Sequence, residues 1–105
     1  MAEEQVTAPE QQEPEMDLVD KVNEAERKYR IYKYQLALEK SQLALEVDWN
    51  RVNENRVRQG KPKITNEANR NNYFKVHFAK EDAELLNLEL SYRSLERELE
   101  REMRE

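Results

Sequence analysis

The sequence predicts an all-α protein: an antiparallel two-helix hairpin, coiled-coil-like, that self-associates into a helical bundle. Three observations lead there. The chain of 105 residues holds one Gly and three Pro, and two of those, Pro9 and Pro14, fall near the start. Gly60 and Pro62 sit together at mid-chain, and a chain punctuated once reads as two elements. On either side, apolar residues recur at steps of three and four, the spacing of a helical seam. Each helix also carries a second apolar stripe that a lone hairpin leaves in water.

Taken in order, residues 1–15 are rich in Glu, Gln and Pro, offer nothing to bury and are expected to form a disordered acidic tail. The helical hairpin is expected over residues 16–105. Its first helix is expected over residues 17–59. Asp17 can cap the free amides at its start, with Asp20 in the capping-box position. Gly60 suits the left-handed position just past a helix, and Pro62 cannot extend one. Residues 60–65 form the turn. Thr65 or Asn66 is suited to cap the second helix, with Glu67 favourable in its first turn. That helix is expected over residues 66–104. Matched lengths and a short turn impose an antiparallel arrangement, with residue i beside roughly 125 − i.

The main seam of the first helix is Leu18, Val22, Ala25, Tyr29, Tyr32, Leu36, Leu43, Val47 and Val57, interrupted by Glu39, Glu46, Asn50 and Asn53. That of the second is Phe74, Phe78, Leu85, Leu88, Tyr92, Leu95, Leu99 and Met103. The second stripe runs along Ile31, Tyr34, Leu38, Leu45, Trp49 and Val52, with Val76, Ala79, Ala83, Leu86 and Leu90 as its counterpart. Of these, Ile31, Tyr34, Leu38, Leu45, Trp49, Val52, Leu86 and Leu90 are the expected oligomer or partner interface.

Composition argues against catalysis. Charged residues make up 39% and apolar residues 37%, and there is no Cys, which excludes disulfides and thiolate metal sites. The single histidine, His77, has Glu81 four residues on, and two ligands rarely hold a metal. No Ser or Thr is paired with a base, and Gly60-Lys61 lacks the rest of a phosphate-binding loop. No catalytic residue, metal or cofactor is expected. The acidic start lacks the apolar run of a signal peptide, and no stretch is apolar enough to cross a bilayer. A cytoplasmic, intracellular protein with no membrane contact is expected.

The net charge of −5 is unevenly spread. Residues 1–20 carry seven acids and no base, residues 51–80 carry eight bases and two acids, and residues 81–105 carry four bases and nine acids. The basic segment surrounds the turn: Arg51, Arg56, Arg58, Lys61, Lys63, Arg70, Lys75 and Lys80. Asn50, Asn53, Asn55, Asn66, Asn69, Asn71 and Asn72 are interleaved, and Tyr73, Phe74 and His77 lie nearby. Bases neutralise phosphates, amides bond to phosphates or base edges, and aromatic rings stack on unpaired bases. A helical surface laced with solvated charge gives the same pattern without a ligand, and Asn also caps turns.

The layout resembles the small helical-hairpin accessory proteins that phages and mobile elements encode beside their recombination genes, recombination mediators among them. The resemblance rests on spaced tyrosines (Tyr29, Tyr32, Tyr34), the turn Arg58-Gln59-Gly60-Lys61, the stretch Ile64-Thr65-Asn66-Glu67-Ala68, and the Leu/Tyr-rich closing helix from Leu85 to Leu99. It implies an oligomeric accessory protein, inside the host cell, that binds single-stranded DNA and a protein partner. The acidic tail is not part of that pattern, and no site residue is carried over from it. Two other readings are a protein-binding module (an inhibitor, anti-defence protein or scaffold) acting through the apolar face around Trp49, and a coiled-coil spacer.

Overall fold

A computed structural model describes residues 16–104. The described residues are helical apart from short connections, and form four helices: α1 (Leu18–Glu46), α2 (Trp49–Arg58), α3 (Glu67–His77) and α4 (Ala79–Arg104). The acidic tail of residues 1–15 lies outside the described residues. The radius of gyration is 22.5 Å, where a compact chain of this length has roughly 13 Å. No described helix is long and apolar enough to cross a membrane.

Four helices replace the two expected, and the breaks have local causes. The first helix stops at Val47, whose N–H still bonds to Leu43 at 2.9 Å but whose ψ of 131° is extended. Asp48 then caps α2 by accepting from the Arg51 amide at 3.3 Å. Its carbonyl takes the first bond of the new helix, from Val52 at 3.0 Å. The break resolves a conflict in the pattern. A continuous helix would turn Asn50 toward the seam and Trp49 and Val52 toward water. Restarting at Asp48 brings Trp49, Val52, Asn53 and Arg56 to the inner, half-buried face of α2. On the return path the chain kinks at Phe78, where bonds from Phe78 to Phe74 (3.0 Å) and from Asp82 to Phe78 (2.8 Å) flank the bend.

The helix starts follow the sequence. Asp17 accepts from the Asp20 amide at 2.9 Å, and Asn66, rather than Thr65, caps α3 through the Asn69 amide at 2.8 Å. Gly60 adopts φ 76°. Gly60 N–H bonds to Val57 O at 3.0 Å and Lys61 N–H to Arg56 O at 2.8 Å, the two bonds of a Schellman motif.

α1 and α4 pack antiparallel. Tyr29 stacks on Tyr92 at 6.0 Å between centroids, and Lys40 Nζ lies 2.7 Å from Asp82 Oδ1. Trp49 meets Phe74 edge-on at 5.6 Å, which continues the same register into α2 and α3. Facing residue numbers add to between 121 and 123, not 125, because the Schellman motif reverses the chain directly at Gly60. The buried residues are Val22, Leu36, Ile64, Phe78 and Tyr92. The other seam positions are half-buried, except Val57 and Met103, which are exposed. The interior is thus a seam one side chain deep, not a volume. Within it, burial followed by the nearby Glu81, Glu84, Glu39 and Asp82 raises the Tyr32 phenol above its ordinary pKa. Burial, followed by the hydrogen bond it donates to Glu96, raises Tyr92 likewise.

Candidate nucleic-acid interface

The far end of the molecule is built by α2, the turn and α3. Its closure rests on one asparagine: Asn53 Nδ2 donates to Ile64 O at 3.0 Å, and Asn53 Oδ1 accepts from Ile64 N at 2.7 Å. This reciprocal pair imitates a strand ladder and satisfies both backbone groups of buried Ile64. Arg56 Nε donates to Pro62 O at 2.8 Å, pinning the other side of the turn. Behind the turn, Trp49 packs edge-on to Tyr73 at 5.3 Å and to Phe74 at 5.6 Å. The Arg70 guanidinium lies 5.2 Å from the Trp49 ring centroid, a cation–π arrangement.

Between the turn and α3 lies an open groove of about 440 Å³, within the roughly 300–1,000 Å³ of small-ligand clefts. One wall is the turn, with Lys61, Pro62, Lys63 and Ile64. The other is α3, with Asn69, Asn72, Tyr73 and His77. Tyr73 and His77, one turn apart, are stacked, with 6.3 Å between centroids and 25° between planes, and form a short aromatic ledge. A second groove, beyond α2, is lined by Asn50, Asn53, Glu54, Val57, Arg58 and Lys63, so Lys63 stands between the two.

The eight expected bases divide into distinct groups. Arg58, Lys61 and Lys63 are exposed at the turn, and among the described residues none forms an ion pair. Arg58 makes one hydrogen bond, to Asn55 at 3.1 Å. Arg56 is half-buried and holds the turn, so its role is structural even though it borders the groove. Arg70 is committed to Trp49 on one face. Arg51 and Lys75 are exposed further back on α2 and α3. Lys80 does not belong to the tip. It follows the kink, on α4, about fourteen residues or roughly 21 Å of helix from the turn. Among the asparagines, Asn53, Asn55 and Asn66 serve the fold, while Asn50, Asn69, Asn71 and Asn72 remain exposed.

The expected interface residues also separate. Ile31, Tyr34, Leu38, Leu45, Leu86 and Leu90 are exposed. Trp49 and Val52 are half-buried against α3, so the exposed apolar face of α1 ends at Leu45 and is not centred on Trp49. The stripes of α1 and α4 each point away from the seam and therefore lie on opposite edges of the two-helix layer, not in one patch. Two features had no place in the sequence reading: the Asn53 clamp and the aromatic cluster behind the turn. The signal for the second was present in Asp48, an N-cap residue placed just before Trp49.

Compared with models of protein families, with curated proteins and with solved structures, the chain matches none.

Proposed function

We propose that this chain is a non-enzymatic, oligomeric helical-hairpin accessory protein that binds single-stranded nucleic acid through its tip, in the manner of the phage recombination accessory proteins it resembles. The observation that carries this reading is the pairing of unneutralised bases with an aromatic ledge. Lys61 and Lys63 face Tyr73 and His77 across one groove, and Arg58 extends the positive edge past Lys63. Along α1 and α4 several bases are instead paired with acids, as in Arg27 with Glu24, Arg30 with Glu26 and Arg93 with Glu96. Phosphates satisfy the lysines while an unpaired base lies on the ledge. Exposed apolar stripes on α1 and α4 support self-association, which multiplies the tips.

The test is fluorescence anisotropy of a labelled single-stranded oligonucleotide at increasing salt, with a duplex competitor. Affinity should fall steeply with salt, and the duplex should compete poorly. Reversing Arg58, Lys61 and Lys63 to Glu should remove binding and leave the far-UV circular dichroism unchanged. Arg56 is left intact in that variant because it holds the turn. Absence of binding at low salt retires the proposal and leaves the exposed apolar face of α1 as the functional surface.

A further inference from the structure

Of all the surfaces outside the tip, the outward face of α1 is the least like its surroundings. Ile31, Tyr34, Leu38 and Leu45 are all exposed, Leu45 by 88%. At 100° per residue they fall within about 60° of arc, opposite the seam. Gln35, Ser41 and Gln42 complete that face. The cations of this stretch are turned elsewhere: Lys33 lies 5.6 Å from the Tyr29 ring centroid, and Lys40 reaches Asp82 across the seam. Glu39 falls to the side. In a chain that is 39% charged, this leaves an uncharged face about fifteen residues and roughly 21 Å long. The outward stripe of α4 is shorter, with Leu86 and Leu90 before Arg93 and Arg97 continue its line, whereas on α1 the charged residue on the line is Arg27, paired with Glu24 one turn before Ile31.

The face is also self-complementary. Leu38 is its midpoint, with Ile31 and Leu45 equidistant on either side. Lys28 and Glu46 flank it at opposite ends, on the same side, since they are eighteen residues or five full turns apart. An antiparallel copy related by a two-fold axis sets flank beside like flank, as isologous interfaces require.

We propose that α1 pairs with α1 of a second copy, antiparallel, about a two-fold axis at Leu38. Leu38 then meets Leu38 of the second copy, and Ile31 lies level with its Leu45. Lys28 comes within two residues of the level of its Glu46, at both ends. The neutral amides of Gln35 and Gln42 seal the same edge. This specifies the self-association proposed above and is separable from it.

The absence of cysteine from the chain makes the test direct. Leu38→Cys should form a disulfide dimer under mild oxidation. Ile31→Cys and Leu45→Cys should each remain monomeric on a non-reducing gel but cross-link when mixed. Lys28→Glu should weaken dimerisation by light scattering about tenfold, the worth of two exposed ion pairs, and Glu46→Lys in the same chain should restore it. Cross-linking of Ile31→Cys alone means a parallel pair and overturns the proposal. Cross-linking through Leu86→Cys in place of Leu38→Cys overturns this interface while keeping self-association. A wild-type monomer at tens of micromolar overturns both.

Discussion

The long pair α1 and α4 and the distal segment α2–turn–α3 use opposite means of holding two helices together. In the long pair, cohesion comes from a line of apolar side chains, with Val22, Leu36, Phe78 and Tyr92 buried. One inter-helix ion pair, between Lys40 and Asp82, fixes register. In the distal segment Ile64 is the buried side chain, and directed polar contacts carry the geometry: the Asn53 clamp, the Arg56 bond and the Schellman motif. Apolar contact tolerates any solvated charge around it, and the long pair carries local ion pairs such as Arg27 with Glu24 and Arg93 with Glu96. Directed bonds need few residues, so the tip can leave Arg58, Lys61 and Lys63 unmatched. The division lets Arg58, Lys61 and Lys63 change without touching the contacts that hold the helices together.

The comparison can be broken by substitution. The largest effect is expected at Leu36, which is 4% exposed. Leu36→Ala should cost about 2–4 kcal/mol and lower the thermal midpoint of the whole helical signal, because so thin a seam has no second layer to compensate. At the tip, Asn53→Ala should cost about 1–3 kcal/mol, the penalty of leaving the Ile64 backbone groups unpaired. Its signature is faster hydrogen exchange at Ile64 and the turn, with the long pair still protected. A uniform loss of protection would show that the two regions are not separately held. Gly60→Ala should cost about 1–2 kcal/mol for its left-handed conformation alone. A Cβ there meets no atom within 4 Å, and Asn at this position should recover part of the loss. The smallest effect is alkaline. Because folding raises the phenols of Tyr32 and Tyr92, the unfolded chain loses those protons first. Stability should hold below the ordinary tyrosine pKa of about 10 and fall as pH rises beyond it. Denaturant midpoints between pH 8 and 11 measure this, and Tyr92→Phe should flatten the decline.

Helical content, the antiparallel course, the turn at Gly60, the cap at Asp17 and nearly every seam position could be read from spacing and from the residues that end helices. These are local signals, each set by a few neighbouring residues. The breaks at Val47 and Phe78 could not be read the same way. Each is a compromise between two helices: the first is driven by which face α3 offers to Trp49, and the second occurs without Pro or Gly. The register is displaced by two to four residues because the chain reverses directly at Gly60. At the tip, the basic character was legible as charge, but the distinction between Arg56, which holds the turn, and Lys61 or Lys63, which do not, depends on where Pro62 O points. Lys80 was assigned to the tip by proximity in sequence, and the helical rise removes it.

The Asn53 clamp also bears on how the chain assembles in time. It joins residues eleven apart, whereas the Lys40 and Asp82 contact spans forty-two. Closing the shorter loop first saves about 1 kcal/mol of chain entropy, and every later contact along the seam then adds only a few residues to an existing closure. Loop entropy therefore favours zipping from the tip toward the ends. Substitutions at Asn53 therefore slow folding, while those near Val22, the last part of the seam to close, speed unfolding. The end of the molecule that carries the basic turn is also the end from which the shortest loop closes.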